Sequence, residues 1–69
     1  MTGRVSYLSE TYGFLRGEDG DRYFFAATAC VAPFRFEDCA PGARVSFTLG
    51  RDRKNRICAD RIWPLADGR

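Results

Sequence analysis

The chain has no histidine, only three cysteines and no obvious acid/base pair of carboxylates, and these absences exclude several kinds of site. Without an imidazole, the chain lacks the commonest general base and one of the usual zinc ligands. The cysteines, Cys30, Cys39 and Cys58, also lack Cys-x-x-Cys spacing. We therefore expect no enzymatic activity, no bound metal and no cofactor.

Long apolar runs are also absent, and none approaches the about 20 residues that a membrane-spanning helix needs. No apolar segment near residue 1 resembles a signal peptide, and the odd number of cysteines does not suggest a disulfide framework. The sequence thus predicts no association with a membrane and a reducing, cytoplasmic setting. There the cysteines would act as small buried hydrophobic residues.

Net charge is low, because eleven Lys and Arg are set against nine Asp and Glu to give +2. This is a weak electrostatic signal for a nucleic-acid-binding protein, so the distribution of charge matters more than its total. Acidic residues gather in 18–21 and 37–38, whereas positive charge is densest in 51–56. The basic run can contact an anionic partner, but a solvated hairpin tip is the commoner explanation for so short a segment.

What the chain does have is a concentration of aromatic residues in 12–17 and 23–25, separated by turn-forming residues. This pattern predicts a tight β-hairpin. Side chains alternate between the faces of a strand, so each face receives its own set. We expect one face to supply a core from Leu15, Tyr23 and Phe25. The other face then presents Tyr12, Phe14, Arg16 and Phe24.

The remaining chain predicts three further strands and one long connection. The first strand covers Gly3–Leu8, and residues 26–40 form the connection with a helical turn. Alternation over Arg44–Leu49 predicts a half-buried strand. Its inward-facing residues would be Val45, Phe47 and Leu49. A fifth strand over Ile57–Trp63 completes a single all-β domain over residues 1–69, and five short strands in so small a chain predict a closed or nearly closed barrel.

The order of these features resembles the cold-shock domain family over about residues 3 to 62. The resemblance rests on Gly3-x-Val5, Tyr12-Gly13-Phe14-Leu15, the Asp19-Gly20 turn, Tyr23-Phe24-Phe25, Phe36-Glu37-Asp38-Cys39, Gly42, Val45-x-Phe47 and Ala59 to Ile62. It implies a small five-stranded antiparallel OB-type barrel over about residues 2–63, followed by a short tail over 64–69. It also implies binding of single-stranded RNA or DNA with little sequence preference, as an RNA chaperone or a regulator of transcript structure.

The resemblance further implies which residues would stack on unpaired bases. Their positions match Tyr7, Leu8, Tyr12, Phe14 and Phe24, with Phe36 as a further aromatic beyond the third strand. Adjacent Tyr7 and Leu8 cannot both face outward without a bulge, so either can belong to the core. The family has Lys-Trp-Phe where this chain has Ser6-Tyr7-Leu8, and His and Phe where it has Ala26-Ala27. These departures reduce the charge and the stacking surface, which predicts weakened or altered binding.

Phosphate contacts are expected from cationic residues near the aromatic set. The candidates are Arg4, Arg16, Arg22 and the 51–56 loop, within which Arg53, Lys54 and Arg56 stand out. Arg16 is the strongest of them because it shares a face with Tyr12 and Phe14. Ordinary solubilising charge explains the same residues, and packing in a core or a dimer interface is an alternative for the aromatic residues.

A different function stays open, namely an OB-fold module that binds other proteins and has lost nucleic-acid binding. Its sign would be a contiguous apolar patch that includes Trp63 or Phe34. The Trp63-Pro64-Leu65 segment can either cap the open end of the barrel or contact another protein. Exposed apolar residues there also leave open a weak homodimer through edge pairing.

Overall fold

A computed structural model describes residues 1–65 of the chain. Its strands are β1 (Thr2–Leu8), β2 (Tyr12–Gly17), β3 (Arg22–Ala26), β4 (Arg44–Arg51) and β5 (Ile57–Pro64). They form one antiparallel sheet in the order β3-β2-β1-β4-β5, so the predicted all-β, five-stranded fold is confirmed. Pro64, predicted to begin the tail, belongs to β5, and residues 66–69 of that tail lie outside the described residues.

The two edge strands, β3 and β5, lie next to each other, but no ladder of hydrogen bonds joins them within residues 1–65. An isolated parallel bridge links Cys30, just after β3, to Ile62 in β5. Beside it, the backbone N–H of Val31 donates to the Ile62 carbonyl at 3.0 Å. The sheet is therefore open by hydrogen bonding, and its predicted closure into a barrel is not confirmed. No helix in the described part of the chain is long and apolar enough to cross a membrane.

The core lies on one face of the sheet and draws on all five strands. Its buried members are Val5, Leu15, Tyr23, Phe25, Val45, Phe47, Ala59 and Ile62. Burial alternates residue by residue along β2 and β3, which confirms the predicted inward set of the hairpin. The Tyr23 hydroxyl leaves this core to donate to Asp19 Oδ2 at 2.6 Å. That bond lowers the pKa of Asp19 and raises the pKa of Tyr23 to about 12.

One predicted core position in β4 is wrong. Val45 and Phe47 are fully buried as expected, but Leu49 is 44% exposed. The pairing of β4 with β5 shifts register between Thr48 and Leu49. The extra residue is Asp60 of β5, because Thr48 pairs with Arg61 and Leu49 pairs with Ala59. Leu49 thus lies beside a bulge in the neighbouring strand, and there it is exposed although it continues the series of Val45 and Phe47.

The connection between β3 and β4 contains two 3-10 turns, Ala27–Ala29 and Phe36–Asp38. The helical turn predicted in this segment is therefore present, in this tighter form. Of the three free thiols, Cys58 is buried, whereas Cys30 and Cys39 are half-buried. Burial is the main cause that raises the pKa of the Cys39 thiol to about 12. A thiol with so high a pKa stays protonated at neutral pH and is a poor nucleophile.

Candidate nucleic-acid interface

The outer face of β1, β2 and β3 carries four aromatic rings, which we call the aromatic cluster: Tyr7, Tyr12, Phe14 and Phe24. Alternation along β2 and β3 directs three of these rings away from the core. Tyr7 joins them because β1 shifts register against β2 between Val5 and Tyr7, which pairs Tyr7 with Phe14. Tyr7 is 51% exposed, and the other three rings are half-buried against one another.

The rings of the aromatic cluster contact each other in a connected set. Tyr12 stacks on Phe24 with ring centroids 5.7 Å apart, and Phe14 meets Phe24 edge-on at 5.9 Å. Tyr7 lies 6.3 Å from Phe14 in a tilted arrangement. Such contacts orient the rings while leaving part of each one accessible to a planar group from outside. The arrangement can stack nucleobases.

Two further candidates for base stacking, Leu8 and Phe36, are half-buried and pack against the core, a role that the sequence left open for both. Leu8 packs against the core, close to Gly13 on the neighbouring strand. A methyl group added at Gly13 would lie only 2.9 Å from Leu8 Cδ2. Phe36 meets the buried Phe25 ring edge-on, with centroids 6.1 Å apart. The fold therefore brings neither Leu8 nor Phe36 to the aromatic cluster. The bulge in β1 settles the choice between Tyr7 and Leu8, which the sequence left open.

Beside the aromatic cluster, four arginines occupy opposed positions on four neighbouring strands, and we call them the arginine row: Arg44, Arg4, Arg16 and Arg22. Arg4 pairs with Arg44 on one side and Arg16 on the other, and Arg16 pairs with Arg22. All four side chains are exposed. The Arg22 guanidinium lies 4.6 Å from the centre of the Phe14 ring, so the row and the cluster are in contact.

Two shallow depressions on this face share Arg16. One is lined by Ser6, Tyr7, Tyr12, Phe14, Arg16 and Arg22. The other is lined by Thr2, Gly3, Arg4, Arg16, Gly17, Glu18 and Arg44. Glu18 is the acidic residue of the second depression, where its Oε1 accepts from Thr2 Oγ1 at 2.7 Å. Rings and guanidinium groups thus line one continuous surface.

The basic loop between β4 and β5 is organised differently, around Asp52. This carboxylate accepts from the backbone N–H groups of Lys54 and Arg56, each at 2.9 Å, and from Arg56 Nε at 3.1 Å. These bonds hold the pKa of Asp52 below its ordinary value, with the Arg56 backbone as the main cause. Arg56 therefore forms an ion pair with Asp52 within the loop. Arg53 lines a groove with Phe24 and Ala26 at the edge of the aromatic cluster, and Lys54 is exposed.

Sequence reasoning found Arg4, Arg16 and Arg22, but it missed Arg44. No local signal identifies Arg44, because it joins the row only through the pairing of β1 with β4, which are far apart in the chain. Among residues 1–65 no group of three or more His, Cys, Asp or Glu side chains is placed to hold a metal ion. No family model matches the chain, and no curated protein matches it significantly.

Proposed function

We propose that this chain binds single-stranded RNA or DNA by stacking unpaired bases on the aromatic cluster. The observation that carries the proposal is a set of four neighbouring, partly accessible rings on strands whose opposite face forms the core. These rings pack on one another and lie outside that core. A base stacked on an aromatic side chain contributes about 1–3 kcal/mol to binding, so a few stacked bases give measurable affinity.

The proposal includes closure of the sheet into an OB-type barrel similar to that of the cold-shock domain family. The proximity of β3 and β5 and the bridge between Cys30 and Ile62 support this closure. OB folds bind nucleic acid on strands 2 and 3 and on the loops that join strands 1 and 2 and strands 4 and 5. Here β2 and β3 carry most of the aromatic cluster, and Arg53 of the β4–β5 loop borders Phe24.

Such a protein acts by trapping strands in the unpaired state, without consuming a nucleotide cofactor. Bases stack on the rings while the arginines attract the phosphates, and we expect little sequence preference because every base has a face to stack. Its role would be that of an RNA chaperone or regulator, and the setting that we propose is the cytoplasm. Ala26, which pairs with Tyr12, ends the aromatic cluster at this edge, so we expect moderate affinity.

The test is a titration of a fluorescein-labelled oligothymidine of about seven nucleotides, followed by fluorescence anisotropy at low and near-physiological salt. We expect saturable binding by the parent and a loss of at least about 30-fold in affinity for the Phe14→Ala, Phe24→Ala double variant. Both removed rings belong to the aromatic cluster, so the loss should follow directly from lost stacking.

The control variant is Trp63→Ala, which removes a ring that is 37% exposed on β5, outside the aromatic cluster. Its affinity should equal that of the parent. Double-variant binding as tight as the parent's would contradict the proposal. Absence of binding by the parent at low salt would also contradict it and would direct attention to protein partners. Phe34, one of the two residues named for such a patch, packs against the core.

A further inference from the structure

The arginine row is a line of positive charge that crosses four neighbouring strands. Its four members are directly opposed on β4, β1, β2 and β3. Neighbouring strands lie about 4.8 Å apart, so three such spacings extend the row over about 14 Å. The row therefore runs across the strands, from Arg44 at one end to Arg22 at the other.

Nothing in the described part of the chain neutralises this row with an ion pair. The salt bridges within residues 1–65 join Arg35 to Glu37 and Arg56 to Asp52. Arg4 and Arg16 donate only to the backbone carbonyls of Gly42 and Gly20, at 3.1 and 2.8 Å. Like charges directly opposite each other destabilise a sheet. Glu18 is the acidic residue of the depression that Arg4, Arg16 and Arg44 line, and it accepts from Thr2 rather than from an arginine. A bound polyanion would relieve the repulsion among the opposed arginines.

A second line, made of rings, runs parallel to the arginine row. Tyr7, Phe14 and Phe24 are opposed on β1, β2 and β3. In β2, Phe14 and Arg16 lie two residues apart, and the same spacing separates Phe24 from Arg22 in β3. Two residues of a strand cover about 6.6 Å, so the line of rings and the line of guanidinium groups are side by side.

We propose that the arginine row is the phosphate track of the bound strand, an inference that rests on the proposed function. The nucleic acid lies across the sheet with its bases on the rings and its backbone along the guanidinium groups. It continues past the aromatic cluster over β4, where it meets Arg44. Arginine suits this role because its planar group can donate two parallel hydrogen bonds to one phosphate.

The test compares Arg44→Gln with Arg61→Gln, since each variant removes one positive charge. Arg61 is an exposed residue of β5 opposite Thr48, which lies four residues, or about 13 Å, along β4 from Arg44. An oligothymidine of about ten nucleotides is used, so that it can reach β4. Affinity is measured between about 0.05 and 0.2 M salt, and its logarithm is plotted against the logarithm of salt concentration.

Loss of one phosphate contact on a single strand lowers the magnitude of the slope by about 0.7. We expect that decrease for Arg44→Gln, with affinity about fivefold to tenfold weaker at about 0.05 M salt. Arg61→Gln should keep the parent slope. Arg44→Lys should also keep most of the slope, because it preserves the charge. Arg44 makes no side-chain hydrogen bond among the described residues, and circular dichroism would check that the variants fold.

Equal slopes for Arg44→Gln and Arg61→Gln would overturn the inference. If that happened while Phe14→Ala, Phe24→Ala still weakened binding by at least about 30-fold, the stacking function would stand and only the phosphate track would fail. If the parent did not bind oligothymidine at any salt concentration, the proposed function and the inference would fail together. The two failures are therefore distinguishable in one set of titrations.

Discussion

Phe24 and Phe25 are neighbours in β3, yet they lie in different environments. Phe25 is fully buried and meets Phe36 within the core, whereas Phe24 is half-buried and packs only on the outer face, against Tyr12 and Phe14. Both rings have the same chemistry, and alternation along the strand alone separates them. The inner face of β1–β3 therefore contributes to the core, whereas the rings of the outer face pack on one another and stay partly accessible.

The largest expected effect separates these two rings directly. Phe25→Ala should lower the free energy of unfolding by about 3–5 kcal/mol, because it leaves a cavity in the core. Phe24→Ala should lower it by no more than about 1.5 kcal/mol, because that ring is already partly solvated. Urea denaturation of the two variants measures the difference, and equal losses would erase the distinction between the faces.

A second, smaller effect concerns the charges of the outer face. The double variants Arg4→Gln, Arg16→Gln and Lys54→Gln, Arg56→Gln each remove two positive charges. We expect the first to lower the magnitude of the salt slope of oligothymidine binding by about 1.4, which corresponds to two lost phosphate contacts. The second should change it less, since Arg56 is paired with Asp52. A larger change from the loop variant would place the phosphates on the loop instead.

The inner face also has a pH-dependent contribution, at the hydrogen bond between Tyr23 and Asp19. This bond lowers the pKa of Asp19 below its ordinary value of 3.8. A carboxyl group with a lowered pKa stabilises the folded state above its ordinary value, and the contribution is lost as the pH falls through the folded-state value. The urea concentration at the unfolding midpoint should therefore decrease as the pH is lowered below about 4. The decrease should be less steep for Asp19→Asn than for the parent.

Asp52 and Glu37 also have lowered pKa values, so the Asp19→Asn variant should keep part of the acid dependence. Identical pH profiles for variant and parent would mean that the Asp19 contact does not contribute. At about pH 7 the variant should be the less stable protein, because the carboxylate that accepts from the Tyr23 hydroxyl has been replaced.

The smallest effect is a gain in stability from Arg44→Gln. This variant removes one charge from the arginine row, where Arg44 faces Arg4. We expect the free energy of unfolding to rise by about 0.2–0.5 kcal/mol at low salt, and the gain to vanish near 1 M salt, where the Debye length is about 3 Å. A less stable variant would show that the row does not strain the sheet.

Much of the fold could be predicted from the sequence because its signals are local. Alternation in 12–17 and 23–25 and the turn residues between them define the β2–β3 hairpin and its core face. Leu49 could not be placed, because the bulge near it depends on how β4 meets β5. The open edge between β3 and β5 is also a non-local feature, since it depends on how these two strands approach each other.

In the candidate site, too, some residues could be predicted from local periodicity, whereas others depend on how the strands pair. Tyr12, Phe14 and Phe24 follow from strand periodicity, but the outward position of Tyr7 depends on the irregular pairing of β1 with β2. The alignment of the four arginines on neighbouring strands requires the register of three strand pairs. Sequence alone makes the 51–56 loop the most prominent basic region, although its Asp52 binds part of that charge.

The most direct test of the central claim is to observe the aromatic rings themselves while a nucleic acid binds. We would record ¹³C–¹H aromatic NMR spectra during titration with an oligothymidine of about seven nucleotides. The account predicts large, saturable shifts for the ring signals of Tyr7, Tyr12, Phe14 and Phe24, and much smaller shifts for Phe25 and Phe47 in the core. Shifts that are largest at Trp63, or no shifts in the aromatic cluster at saturation, would contradict it.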